Sequence, residues 1–133
     1  MRYILLICIS VILVSCQCLR SSSQSAENVA LEQLGTDATV TYNIPKTYAL
    51  IYSKNEKAEG PLTPLKYMIY DVKNSKIVFE EQKRDGSVEW HNAEYVVVNS
   101  KPEVQSINRE ENKKMSRYYI NVNTLEKVYS IEK

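Results

Sequence analysis

The sequence predicts an all-β antiparallel domain of about eight short strands, a small sandwich or barrel, carried on a flexible N-terminal tether. Three observations lead there. Hydrophobic residues recur with period two over most of the chain beyond residue 37, as in strands with two unlike faces. Asn, Asp, Gly and Pro punctuate that pattern at short intervals and mark turns. Ten Tyr stand against three Gly in 133 residues, and Tyr suits a pleated, half-buried surface where Gly does not.

Residues 1–15 stand apart from the fold. Arg2 supplies a positive start, and Ile4 to Val14 form an apolar run broken only by Ser10. At helical rise that run spans about 16 Å, roughly half the hydrocarbon core of a bilayer, so it reads as a secretory signal rather than a spanning helix. Leu13-Val14-Ser15-Cys16 then resembles the lipobox of bacterial lipoproteins, in which cleavage before the cysteine frees a thiol that carries a diacylglyceryl group. The resemblance implies Cys16 as the lipid-attachment residue and the membrane as a partner through that anchor. Gln17, where Asp would signal inner-membrane retention, implies the outer membrane of a bacterial cell envelope. Cys18 is left over, within about 7 Å of Cys16 even in an extended chain.

Residues 16–36 are expected to be this lipidated cysteine and its tether, because Ser21 to Ser25 have no face to bury. Asn28 to Leu34 shows helical spacing closed by Gly35, with Val29, Leu31 and Leu34 near one face. The globular domain is placed at 37–133. Ala38–Asn43 and Thr47–Ser53 alternate around Pro45-Lys46 and form the first strand pair. Lys54 to Pro64 carries Gly60-Pro61 and Pro64, which interrupt pairing. Lys66–Val72 and Lys76–Gln82 flank Lys73-Asn74-Ser75, where Asn suits a left-handed turn position. Asp85-Gly86 is a further turn signal. Ser87–His91 and Glu94–Val98 make a third hairpin, and Asn108 with Glu111 caps one short helical turn. Arg117–Val122 and Glu126–Ile131 make the fourth. Tyr67 and Ile69 alternate with Met68 and Tyr70, so the strand is apolar on both faces and should be covered twice.

Leu65 to Glu80, with Val88-Glu-Trp90 and Tyr95 to Val98, is similar to one blade of a TolB-type β-propeller. The likeness is local, since a propeller needs at least about four blades of ~40 residues. As a whole the chain resembles small uncharacterised bacterial lipoproteins, which share no activity.

Chemistry is sparse. A formal charge of +1 lacks the basic footprint of a nucleic-acid binder. One His, and no Cys beyond position 18, exclude most metal and haem sites. No nucleotide, hydrolase or metalloprotease motif occurs, so no catalytic residue, cofactor or small-molecule substrate is assigned. His91 is the one possible histidine base, with Glu89 and Glu94 close in sequence, though an exposed turn histidine is the plainer reading. Glu80 and Glu81 point to opposite faces of a strand, which prevents a shared site. The tyrosines are expected to pack the core, with Tyr118 and Tyr119 on opposite faces. Arg109, Lys113, Lys114 and Arg117 form a basic cluster diluted by Glu110 and Glu111. The resulting expectation is a non-catalytic envelope lipoprotein that binds or supports another envelope protein. The alternative is an inhibitor of a hydrolase such as lysozyme or a protease, acting through Asn99–Ser116. A distant third is an enzyme using His91.

Overall fold

The computed structural model describes residues 24–54, 62, 64–102 and 104–131. Cys16, Cys18 and most of the expected loop Lys54–Pro64 lie outside them. Two four-stranded antiparallel sheets form the fold. In the first, β1 (Thr39–Tyr42), β2 (Tyr48–Lys54), β3 (Leu65–Asp71) and β4 (Lys76–Lys83) follow one another in chain order. In the second, β5 (Gly86–Trp90), β6 (Tyr95–Ser100), β7 (Arg117–Asn121) and β8 (Lys127–Val128) do the same. The sheets do not close into a barrel; the eight strands make a sandwich. Strand β8 is only two residues long, shorter than the expected Glu126–Ile131.

The two-faced apolar pattern of β3 explains how the layers stack. Leu65, Tyr67 and Ile69 join Leu50 against Val88, Val96, Val98, Tyr118 and Ile120 of the second sheet, forming the main core. Met68 and Tyr70, on the opposite face, join Ala49 and Ile51 against a helix, α1 (Ala26–Leu34). Both covers anticipated for this strand are therefore present, one a sheet and one a helix.

That helix narrows the expected tether. Residues 26–34 fall inside the 16–36 segment, yet Ala26, Val29 and Ala30 are buried on the first sheet. The face in use is i, i+3, i+4 from Ala26; of the expected stripe Val29 is buried there and Leu34 packs against the same cluster, while Leu31 is left exposed. Small residues let the helix backbone approach the sheet closely, so Ala contributes more here than its modest hydropathy suggests. Ser25 caps the helix by accepting from the Asn28 amide at 3.3 Å. Gly35, at φ 79°, ends it while its N–H reaches the Leu31 carbonyl, the left-handed position that favours glycine.

The turns depart from expectation in one respect. Ser75, not Asn74, takes positive φ in the β3–β4 turn. Asn74 is instead tied to Asp71, its amide N–H to Oδ1 at 2.9 Å and its Nδ2 to Oδ2 at 2.7 Å, the local side-chain bonding that competes with backbone geometry. In the last hairpin Leu125 takes positive φ, and the Asn121 carboxamide accepts from the amides of Asn123 and Thr124.

Candidate functional site

Alternation along β4 sends Glu80 outward and Glu81 inward. Glu80 pairs with Lys66 at 3.0 Å on the solvent side. Glu81 lies opposite Tyr67 of β3 and reaches the open rim between the two sheets. Its Oε2 accepts from the hydroxyl of Tyr67 and from that of Tyr118 on β7 at 2.6 Å. Its Oε1 accepts from Lys127 Nζ of β8 at 2.7 Å and Lys83 Nζ of β4 at 2.9 Å. Four strands thus contribute to one carboxylate.

The electrostatics follow from that arrangement. Burial pushes the Glu81 carboxyl up, but the donors Lys127, Tyr118, Tyr67 and Lys83 outweigh it and hold the group at about 2. Burial, reinforced by the Glu81 acceptor, pushes the phenols of Tyr67 and Tyr118 well above the ordinary tyrosine range. At neutral pH the carboxylate stays charged and both phenols stay protonated donors. The ammonium groups are also held by aromatic faces: Lys127 lies 4.9 Å from the Tyr118 ring centre, and Lys83 5.4 Å from the same ring.

This lattice forms one wall of a cleft of about 320 Å³. Lys83, Tyr118 and Lys127 line it together with Ser100, Lys101, Pro102, Val104, Met115 and Tyr129. A second cleft of about 370 Å³ shares Tyr129 and continues to Lys113, Lys114 and Arg117. The last helix, α2 (Arg109–Ser116), supplies the far wall. Asn108 caps it by accepting from the Glu110 amide at 3.0 Å, whereas Glu111, the expected capping partner, accepts from the Ser106 hydroxyl at 2.6 Å. Val104, Met115 and Tyr129 are exposed apolar side chains in the lining, and Ile107, just before α2, is exposed as well. The basic cluster anticipated at Arg109, Lys113, Lys114 and Arg117 thus borders an aromatic and aliphatic surface.

The cleft and the N-terminal approach of the chain lie at different levels of the sandwich. Tyr42, Ala49 and Tyr70 form one rung. There the Tyr42 hydroxyl donates to Glu27 at 2.6 Å, and that of Tyr70 donates to the Gln24 carbonyl. Thr39, Tyr52, Tyr67 and Glu81 form another rung, three residues or about 10 Å further along. The chain enters at one end of the sandwich and the cleft opens at the other.

His91 lies apart from all this. It is exposed, with its ring edge-on to Tyr119 at 5.0 Å, and no ion pair among the described residues joins it to Glu89 or Glu94. Among the described residues no three His, Cys, Asp or Glu gather as a metal site, and no helix is long and apolar enough to cross a membrane. Sequence reasoning separated Glu80 from Glu81 correctly and then dropped both. The available signal was Glu81 at i+2 from Phe79 and i−2 from Lys83, which places a carboxylate on the same face of the strand as the aromatic ring and the ammonium. Comparison with known protein families, curated proteins and solved structures finds no match to the chain.

Proposed function

We propose that this protein is a lipid-anchored, non-catalytic binding module of a bacterial cell envelope, attached through Cys16 and working through the rim around Tyr129. The observation that carries the reading is the state of the Glu81 lattice. Its carboxylate is saturated by four donors and held at about 2, while its phenols are held protonated, so neither the carboxylate nor the phenols are poised to exchange a proton near neutral pH. A fixed charge lattice beside an amphipathic cleft suits recognition.

The lipobox-like Leu13-Val14-Ser15-Cys16 supports the anchor. Between Cys16 and Ala26 the chain spans at most about 35 Å, and it enters the fold at the end away from the cleft. A domain so attached would present the Tyr129 rim away from the bilayer. Labelling cells with a palmitate analogue tests the anchor: wild type should incorporate label and Cys16→Ser should not. Label retained on the variant overturns it. Affinity purification from membranes, with the Tyr129→Ser variant as control, tests the rim.

The second reading, inhibition of a hydrolase, is favoured by one observation: Ile107, just before α2, exposes its whole side chain, as a residue entering an enzyme cleft would. The protein at micromolar concentration should then slow lysozyme or a protease, and unchanged turnover counts against this reading.

A further inference from the structure

The cleft at the rim has a charge and a lining that select among ligands. Three ammonium groups, Lys83, Lys101 and Lys127, line it. Two carboxylates answer them, Glu81 for Lys83 and Lys127 and Asp85 for Lys101 at 2.9 Å. Among the described residues one positive charge is left over. Each ammonium has three donors, of which Lys83 and Lys127 each give one to Glu81 Oε1, so further N–H groups are available. Apart from Ser100, the rest of the described lining is apolar or aromatic and includes Val104, Met115 and Tyr129.

We propose that this cleft binds a carboxylate carried on an apolar group, its oxygens among the three lysines and its apolar part against Val104, Met115 and Tyr129. One surplus positive charge matches a monoanion and not a phosphate dianion. Among the described residues no Arg lines the cleft to offer the bidentate fork that favours phosphate. A volume of about 320 Å³ lies at the small end of ligand pockets, room for a residue or a short acyl chain and not for a folded domain. Two sources share this chemistry: a polypeptide C-terminus ending in a hydrophobic residue, and a short fatty acid. The proposal rests on reading this rim as the binding face, and it names the ligand class that face takes.

The test is titration of the isotope-labelled full-length chain, followed by NMR, with N-acetyl-leucine and hexanoate as probes. Saturable shifts are expected at Val104, Met115, Tyr118 and Tyr129. N-acetyl-leucinamide, which lacks the carboxylate, should bind at least tenfold more weakly, and so should N-acetyl-serine, which lacks the apolar group. The Lys101→Gln variant changes an exposed side chain outside the Glu81 lattice and should weaken N-acetyl-leucine at least threefold, with Lys101→Arg restoring it. Tighter binding of one probe than the other assigns the source, terminus or fatty acid. Equal affinity for acid and amide, equal or better binding of inorganic phosphate, or the absence of saturable shifts in the cleft overturns the proposal. Palmitate incorporation at Cys16 is measured separately. Label with no cleft binding refutes this inference alone, and cleft binding with no label refutes only the anchor.

Discussion

Glu81 on β4 and Tyr118 on β7 are hydrogen-bonded across the two sheets, carboxylate to phenol, at 2.6 Å. The bond joins the two sheets beside two other polar contacts, Lys127 Nζ to Glu81 Oε1 at 2.7 Å and the Tyr67 hydroxyl to that of Tyr118 at 3.3 Å, and it orients the ring on which Lys83 and Lys127 rest. Glu81→Gln keeps the size of the side chain but removes the charge that both ammonium groups answer. The rim is half-exposed, so solvent screening limits the cost to about 1–2 kcal/mol, read as a lower denaturation midpoint. Tyr118→Phe should cost less, because Tyr67 and the lysines still hold the carboxylate.

The same carboxylate sets an acid limb. Its folded value of about 2 lies below the ordinary glutamate range, so folding favours the ionised form. The resulting stability is fully present above the unfolded value, near 4.3, and is lost as pH falls from there through about 2. Glu27 and Asp71, also lowered, add to the same slope. Chemical denaturation at pH 6, 4 and 2.5 should show stability falling stepwise, and Glu81→Gln should flatten that fall. A slope unchanged by the substitution would show that other carboxylates govern acid unfolding.

Helix α1 has its own pH signature at the alkaline end. The Glu27 carboxylate accepts from the Tyr42 hydroxyl and, with burial, pushes that phenol up to about 12. A raised folded value means the contribution is complete below the unfolded value, near 10, and is lost as pH rises through about 12. Tyr42→Phe should loosen α1 by about 0.5–1 kcal/mol. Hydrogen exchange is the readout: amides of Val29 and Ala30 should exchange several-fold faster in the variant, while those of Val96 and Val98 hold their rates.

At the opposite end of the sandwich from Glu81, Asn43 is the one buried polar residue among those described. Its Oδ1 accepts from the amides of Thr47 and Tyr48 at 2.9 and 3.0 Å, and its Nδ2 donates to the Ala93 carbonyl at 2.9 Å. It closes the β1–β2 turn and ties that turn to the β5–β6 turn. Asn43→Ala leaves two amides and a carbonyl without these partners and should cost about 2–3 kcal/mol. Asn43→Asp keeps the acceptor but loses the donor to Ala93, so it should fall between the two. Equal midpoints for wild type and Asn43→Ala would mean water replaces the side chain.

What the sequence carried and what it withheld have physical reasons. Period-two alternation marks strands because it is a property of one segment alone, and all eight were found from it. The double cover of β3 was visible for the same reason: Tyr67 and Met68 are both apolar. Which element supplies the second cover was not visible, because Ala26 and Ala30 matter through closeness of approach, and that depends on the partner sheet. The Glu81 site was withheld more completely. Its donors come from residues 67, 83, 118 and 127, and no local pattern brings four separate strands to one carboxylate.

Gly86 shows the same limit at a single position and gives the last prediction. Beside Asp85 it reads as a turn residue, and a turn glycine tolerates Ala when φ is negative. It is instead the first residue of β5, paired with Ser100 of β6. A Cβ there would stand 2.6 Å from the Asn99 carbonyl oxygen and 3.2 Å from the Ser100 Cβ. Because the nearest atom is backbone, no rotamer change relieves the contact, and the β5–β6 pair must shift. Gly86→Ala should therefore destabilise the fold by about 1–3 kcal/mol, although alanine is the better residue by strand propensity. Gly35→Ala, with open space around its Cβ but φ at 79°, should cost about 1 kcal/mol through backbone strain alone. Thermal melts of the two variants separate the causes. Shortening Asn99 cannot rescue Gly86→Ala, since the clash is with its carbonyl, and a rescue by Asn99→Ala would place the fault in the side chain instead.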